Sequence, residues 1–290
     1  MAPEHYRYSV IIRTRNSAHT LRCVLHHLKS QTTPPSQIII VDSGSTDHTL
    51  DLAKQFDCEI VFYPKELEFN YSKAINIGIE KSWHPWVLIL SSDVVMIYHN
   101  TIELLMNSIV ANNCAMGYVN GGGERTLSGV TWPTPQTKII DYSSFNGFNG
   151  LRNSCGMLRR DLWLGCQFDE RLPSCEDEAW AVFHLRRGQK SSELTHPAML
   201  KISDKGSLSY YERILILGYV LPPSKLIRHT LATFKRLIIC LFNRDLPQAS
   251  KEGREILDFI RCKIGCIEPQ EKSHFEKMSK QINKQERWIE

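Results

Sequence analysis

No stretch of about 18 uncharged apolar residues occurs anywhere in the 290 residues, so no transmembrane helix is expected. The first eight residues carry charge and lack an apolar core segment, so no secretory leader is expected either. Cysteine occurs nine times but never in a paired CxxC…CxxC or CxxC…HxxxH arrangement. That spacing points to a reducing, cytoplasmic setting in which most thiols act as small buried apolar groups. Cys262, Cys266 and His274 would leave a zinc site short of its fourth ligand. Neither GxGxxG after the first apolar run nor GxxxxGK[ST] is present, which excludes a dinucleotide fingerprint and a P-loop. Internal repeats and low-complexity tracts are absent as well.

What is present is ordinary for a globular chain: 42% apolar and 23% charged residues, enough for a large core without disulfide or metal staples. The net charge of +4 is unevenly spread. Residues 205–290 hold 16 Lys and Arg against 10 Asp and Glu, leaving 19 against 21 for the remainder. The division expected is a domain over 1–207 and a basic helical extension over 208–290.

Four short apolar runs, at 8–13, 37–42, 59–63 and 86–91, read as strands buried on both faces. Helical stretches at 18–30, 47–56 and 71–82 lie between them; in the first, Leu21, Val24, Leu25 and Leu28 share one face. Ser45, Thr46 and Asp47 supply an N-cap for the second. This alternation predicts an α/β fold with a mostly parallel sheet flanked by helices. Glycines and prolines between 117 and 150 read as long loops, and helical patterns resume at 159–164 and 176–187.

A parallel sheet places its ligand at the C-terminal strand ends. The residues there are Arg13, Thr14, Arg15 and Asn16, then Asp42 to Ser45, then Ser91, Ser92 and Asp93. A strand-end carboxylate can cap the helix that follows, accept from a nucleoside or hold a hard cation; Asp42 and Asp93 on separate strands favour a nucleotide–metal site. Glu176, Asp177 and Glu178 in succession suit a helix N-terminus, yet their mutual repulsion calls for a cation, a base or strong donors nearby.

The segments 9–16 (Ser-Val-Ile-Ile-Arg-Thr-Arg-Asn) and 39–47 (Ile-Ile-Val-Asp-Ser-Gly-Ser-Thr-Asp) resemble the opening of family 2 glycosyltransferases with the GT-A fold. So do 70–78 (Asn-Tyr-Ser-Lys-Ala-Ile-Asn-Ile-Gly), 90–93 at the place of the family's DxD, and 159–161, 168–170 and 176–180 with its ED pair. The resemblance implies a hexosyl- or deoxyhexosyltransferase of polysaccharide biosynthesis. It would move a sugar from a nucleoside-diphosphate sugar to a glycan or lipid-linked acceptor, with inversion. It assigns Thr14, Arg15, Asn16, Asp42, Lys73, Ser92 and Asp93 to the nucleotide sugar. Asp93 would also hold Mg²⁺ or Mn²⁺, Asp177 would be the general base, and Glu176 and Trp180 would face the acceptor. Two departures stand out: Ser91 replaces the first acid of DxD, and no His occurs over 201–205. The metal would then be held mostly by substrate phosphates. Alternatives are a nucleotidyltransferase, whose glycine-rich first loop is missing, and a non-catalytic sugar-nucleotide-binding or assembly protein of the same fold.

Between 225 and 244 there are five Lys and Arg and no acid. At helical spacing Lys225, Arg228, Lys235 and Arg236 oppose Leu231, Phe234, Leu237 and Leu241, a pattern that suits either an anionic membrane surface or packing on the domain. No nucleic-acid reader motif accompanies the basic charge.

Overall fold

Residues 6–122, 135–172 and 174–201 are described by the computed structural model. Its first half alternates strand and helix: β1 (Tyr8–Thr14), α1 (Ala18–Lys29), β2 (Gln37–Asp42), α2 (Thr49–Gln55), β3 (Glu59–Phe62), α3 (Tyr71–Lys81) and β4 (Trp86–Ser91). Then come β5 (Val94–Met96), α4 (Thr101–Ala111), β6 (Met116–Gly122), β7 (Gln136–Ile140), β8 (Cys155–Arg159), α5 (Arg160–Gly165), α6 (Glu176–Leu185) and β9 (Ser191–Lys201).

The strands form one sheet in the order β3-β2-β1-β4-β8-β6-β9-β5, with β7 on β9. β1 to β4 are parallel, as the βα alternation requires. The second half corrects the expectation of a mostly parallel sheet. There β8 runs antiparallel to both β4 and β6, β9 is antiparallel to β5 and β7, and only the β6–β9 pair is parallel.

Side chains alternate between two buried layers. Ile11, Ile39, Val41, Val87 and Ile89 meet α3 and α6 through Ala74, Ile75, Ile79, Trp180 and Ala181. Val10, Ile12, Ile38, Ile40, Leu88 and Leu90 meet α1 and α4 through Leu21, Val24, Leu25, Leu28, Ile102 and Leu105. Burial on both faces is why these strands read as continuous apolar runs.

The glycines between 117 and 150 misled the sequence reading, because β6 and β7 lie inside that segment. At Gly117 a Cβ would come within 2.7 Å of the Ser192 carbonyl oxygen and 2.9 Å of Ile109, so glycine serves close strand packing there. Gly78 plays the same part where α3 meets the sheet: a Cβ would lie 2.3 Å from Ile11 Cγ2 and 3.0 Å from Val41 Cγ2. Both neighbours are fully packed, so Gly78→Ala is expected to cost about 1–3 kcal/mol of stability by overpacking, read as a lower denaturation midpoint.

Cys114, Cys155, Cys166 and Cys175 are buried, Cys23 is exposed, and all the described cysteines are free thiols. Among the described residues no helix is long and apolar enough to cross a membrane. The 208–290 extension, its basic 225–244 segment and Cys262, Cys266 and His274 lie outside the described residues.

Candidate active site

The ends of β1, β2 and β4 share one edge of the sheet, with Thr14 in register with Asp42 and Arg13 with Ser91. Strand order reverses between β1 and β4, which opens a crevice at this edge. Asp42 is almost fully buried, and its carboxylate is occupied by its own chain. The Thr14 hydroxyl donates to Oδ1 at 2.9 Å, the Gly44 and Ser45 amides donate to Oδ2 at 3.0 and 2.8 Å, and the Ser45 hydroxyl donates to Oδ1. Asn16 stands at φ 50°, a left-handed conformation that Asn tolerates. Its amide donates to Ser45 Oγ (2.9 Å), and its Oδ1 accepts from the Thr46 amide (2.8 Å). The β1 and β2 loops are thereby clasped into one rim, while Arg15 stays exposed.

The β4 end joins this rim through Ser17 and Ser92, whose hydroxyls lie 3.1 Å apart. Ser91 donates to Asp93 Oδ1 at 2.6 Å, and Lys201 Nζ stands 3.8 Å from Asp93 Oδ2. No group of three or more His, Cys, Asp or Glu side chains gathers as a metal cage among the described residues. The donor set present, one carboxylate at a strand end, fits a divalent ion held chiefly by phosphate oxygens.

The acidic row opens α6. Cys175 precedes it in the left-handed region at φ 60°, turning the chain so that Glu176, Asp177 and Glu178 are all buried. Three carboxylates in a first turn favour the helix dipole but need further compensation once buried. Asp177 Oδ2 accepts from the Asn153 amide (2.7 Å) and Oδ1 from the Glu178 amide (3.0 Å). Glu176 Oε1 accepts from Asn153 Nδ2 (2.6 Å) and lies 3.8 Å from Arg13 Nη1. Burial, and then the Asp177 charge beside it, push Glu176 up to about 7 against the opposing pull of Arg13.

One residue falls elsewhere than the sequence reading put it. Trp180 is packed in the core: its indole N–H donates to the Cys166 carbonyl at 2.6 Å, and its ring lies 4.0 Å from His184, so it presents no face to an acceptor. Lys73 pairs with Glu170 at 3.0 Å. It belongs to a face of α3 that braces the segment before α6. Asn70 and Asn76 donate to the carbonyls of Leu172 and Phe168, Ser72 donates to that of Asp169, and Asn76 Oδ1 accepts from Trp163 Nε1. Ser17 and Asn153 are contributors that the sequence reading did not name, and Arg13, Ser45 and Glu170 were named there only by position, without the contacts seen here. Arg13 offered a signal, a cation ending an apolar strand; Asn153 sits in an aperiodic loop and offered none.

The model of glycosyl transferase family 2 matches residues 9–163, just over half of the chain. The chain belongs to that family. This family 2 member is 32% identical over 89 residues to a PGL/p-HBAD biosynthesis glycosyltransferase of Mycobacterium bovis, covering 30% of this chain and 35% of the relative. It is 30% identical over 101 residues to the O-antigen chain rhamnosyltransferase RfbN of Salmonella typhimurium, covering 34% and 32%. The matched region thus spans about a third of the length of these curated relatives. Among solved structures, mannosyltransferase PcManGT from Pyrobaculum calidifontis, in complex with GDP-Man and Mn²⁺, superposes with a TM-score of 0.60 at 14% identity over 88% of this chain and 86% of that one. S. aureus TarS 1-349 in complex with UDP-GlcNAc gives 0.56 at 17% identity, over 88% and 81%. At such identities the likeness is one of fold, and the fold is GT-A.

Proposed function

We propose that this chain transfers a hexosyl or deoxyhexosyl group from a nucleoside-diphosphate sugar to an acceptor hydroxyl, with inversion at the anomeric carbon. The observation that carries the reading is the meeting of two parts: the polar ends of β1, β2 and β4, and the buried acidic turn of α6, joined through Arg13 and Asn153. The first is suited to a nucleotide and its diphosphate, the second to activating a hydroxyl. Glycosyl transfer by relatives such as RfbN supports it, and a glycan or lipid-linked acceptor is the class we assign.

In this reading Asp177 takes the acceptor proton as the hydroxyl oxygen bonds to the anomeric carbon and the carbon–oxygen bond to the diphosphate breaks. Each Asp177 oxygen accepts one backbone N–H, which fixes the carboxylate and leaves lone pairs for the incoming hydroxyl. A single displacement by one base inverts configuration. Asp42 shapes the nucleoside rim together with Thr14, Arg15 and Asn16, and Ser92 lines the diphosphate side. A divalent ion at Asp93, when bound, would neutralise charge on the leaving diphosphate. Lys73 serves the nucleotide side in this reading, and its pair with Glu170 also braces the loop beneath the acidic turn.

Incubation with UDP-, GDP- and dTDP-sugars, with and without Mn²⁺, tests the reading by release of nucleoside diphosphate; release from none of them with any acceptor class would defeat it. Binding without release would favour the non-catalytic alternative. A second expectation follows from Asp93 being the acid retained at the DxD position. Asp93→Ala should abolish the part of UDP affinity that depends on Mn²⁺ and leave the metal-free part unchanged, as read by calorimetric titration in both conditions.

A further inference from the structure

Arg13 is the last residue but one of β1 and faces Tyr71 at the start of α3, its guanidinium 5.2 Å from that ring's centre and its side chain only 10% exposed. Its Nη2 donates to the Asn153 carbonyl at 3.2 Å, and Nη1 lies 3.8 Å from Glu176 Oε1. Asn153 completes a ring of contacts, because its amide holds Asp177 and its side-chain nitrogen holds Glu176. Three buried atoms in this cluster, Arg13 Nε and Nη1 and Glu176 Oε2, have no hydrogen-bond partner among the described residues. A buried guanidinium that satisfies so few of its five donors is costly, and its nearest compensation is the carboxylate it faces.

We propose that Arg13 is the positioning residue of the active site: it holds the acidic first turn of α6 against the end of β1 and offsets the charge of Glu176, so that the Asp177 carboxylate is held facing the acceptor hydroxyl. The proposal rests on Asp177 being the base. Two carboxylates adjacent in one buried turn cannot both stay ionised without a cation. The charged groups facing Glu176 are Asp177 from its own helix and Arg13 from β1; Asn153, from the segment before β8, is neutral. Removing Arg13 leaves two like charges and no counter-charge among the described residues, and Glu176 is pushed further up. Glu176→Gln removes the charge that Arg13 offsets, so the two substitutions should not add.

The test compares the wild type with Arg13→Met, Arg13→Lys and Arg13→Met/Glu176→Gln. Arg13→Met is expected to lower kcat at least tenfold at pH 7 with UDP affinity held within a factor of three, and to move the acid limb of the pH–rate profile to higher pH. Adding Glu176→Gln should recover most of the loss and return the acid limb. Arg13→Lys keeps the charge without the fork and should fall between; it serves if the Met variant does not fold.

A second readout needs no turnover. A Glu whose folded pKa is raised binds more protons folded than unfolded, so its contribution to stability is present at low pH and is lost as pH rises through the window from its unfolded value to the folded one. The fall in melting temperature between pH 5 and pH 8 should therefore be larger in Arg13→Met than in the wild type and smallest in the double variant. Superimposable melting curves across the series, or a double variant no more active than Arg13→Met, would overturn the proposal. If the melting curves separate as stated but no variant and no wild type transfers sugar, then the assigned activity has failed and the charge pairing stands.

Discussion

The Asp177→Asn variant is expected to lose about 10²–10⁴ of kcat while binding UDP as the wild type does. The loss is specific because the substitution changes little else. Asn keeps an oxygen to accept one of the two backbone amides that now hold the carboxylate, those of Asn153 and Glu178. A negative charge at the helix start is forfeited, worth about 0.3–1 kcal/mol, and one backbone amide loses its acceptor at about 1–3 kcal/mol, while the repulsion from Glu176 goes with the charge, so the melting temperature should fall modestly without loss of the fold. Glu176 should titrate lower, since the Asp177 charge is one of the two causes that raise it. Steady-state kinetics and calorimetric UDP titration check this together, and turnover close to wild type would exclude Asp177 as the base.

Asp42→Ala is the change expected to cost most in both stability and nucleotide affinity. Four donors converge on this carboxylate, and the Thr14 hydroxyl among them is buried. Each buried donor left without an acceptor costs about 1–3 kcal/mol, while the donors near the surface can turn to water. A total loss on the order of 2–4 kcal/mol follows for a site with one buried donor and three at its margin. The clasped β1–β2 rim would open, and UDP affinity should fall at least tenfold with and without Mn²⁺. Asp42→Asn keeps one acceptor, and the two hydroxyls can reverse to meet its amino group, so it should be milder on both counts. Chemical denaturation and calorimetry of the pair separate a role in shaping the rim from a purely electrostatic one. Equal losses in the two variants would point to the charge.

How legible these features were depended on what kind of contact produces them. β2 and β4 fell where the apolar runs placed them, and α1 buries Leu21, Val24, Leu25 and Leu28 as its spacing required. Burial on both sides writes itself into consecutive residues. The second half of the sheet did not, because β5 has only three residues, β6 carries glycines demanded by close packing, and β7 is exposed over much of its length. The N-cap expected at 45–47 falls instead on His48, while Asp47 accepts from the amides of Thr49 and Ala18 and so tethers the starts of two helices. Within the site, strand-end positions were readable from the motif and topology, whereas partners were not. Nothing local to Lys73 announces Glu170, nor does anything near Trp180 announce the Cys166 carbonyl, since both pairings are made by tertiary packing.

The sheet order has a consequence for how this chain is made. β4 is apolar through Val87, Leu88, Ile89 and Leu90, and its outer edge is closed only by β8, Cys155–Arg159, which is synthesised more than sixty residues later. Until β8 leaves the ribosome, a nascent chain with β1 to β4 already paired carries a strand edge with unpaired amides and carbonyls, the kind of template on which chains aggregate. Lengthening the intervening segment adds little entropic cost to the eventual closure, because that cost grows only with the logarithm of length. The exposure time grows in proportion to it. Insertions between β4 and β8 should therefore be limited by solubility during synthesis more than by the stability of the finished fold.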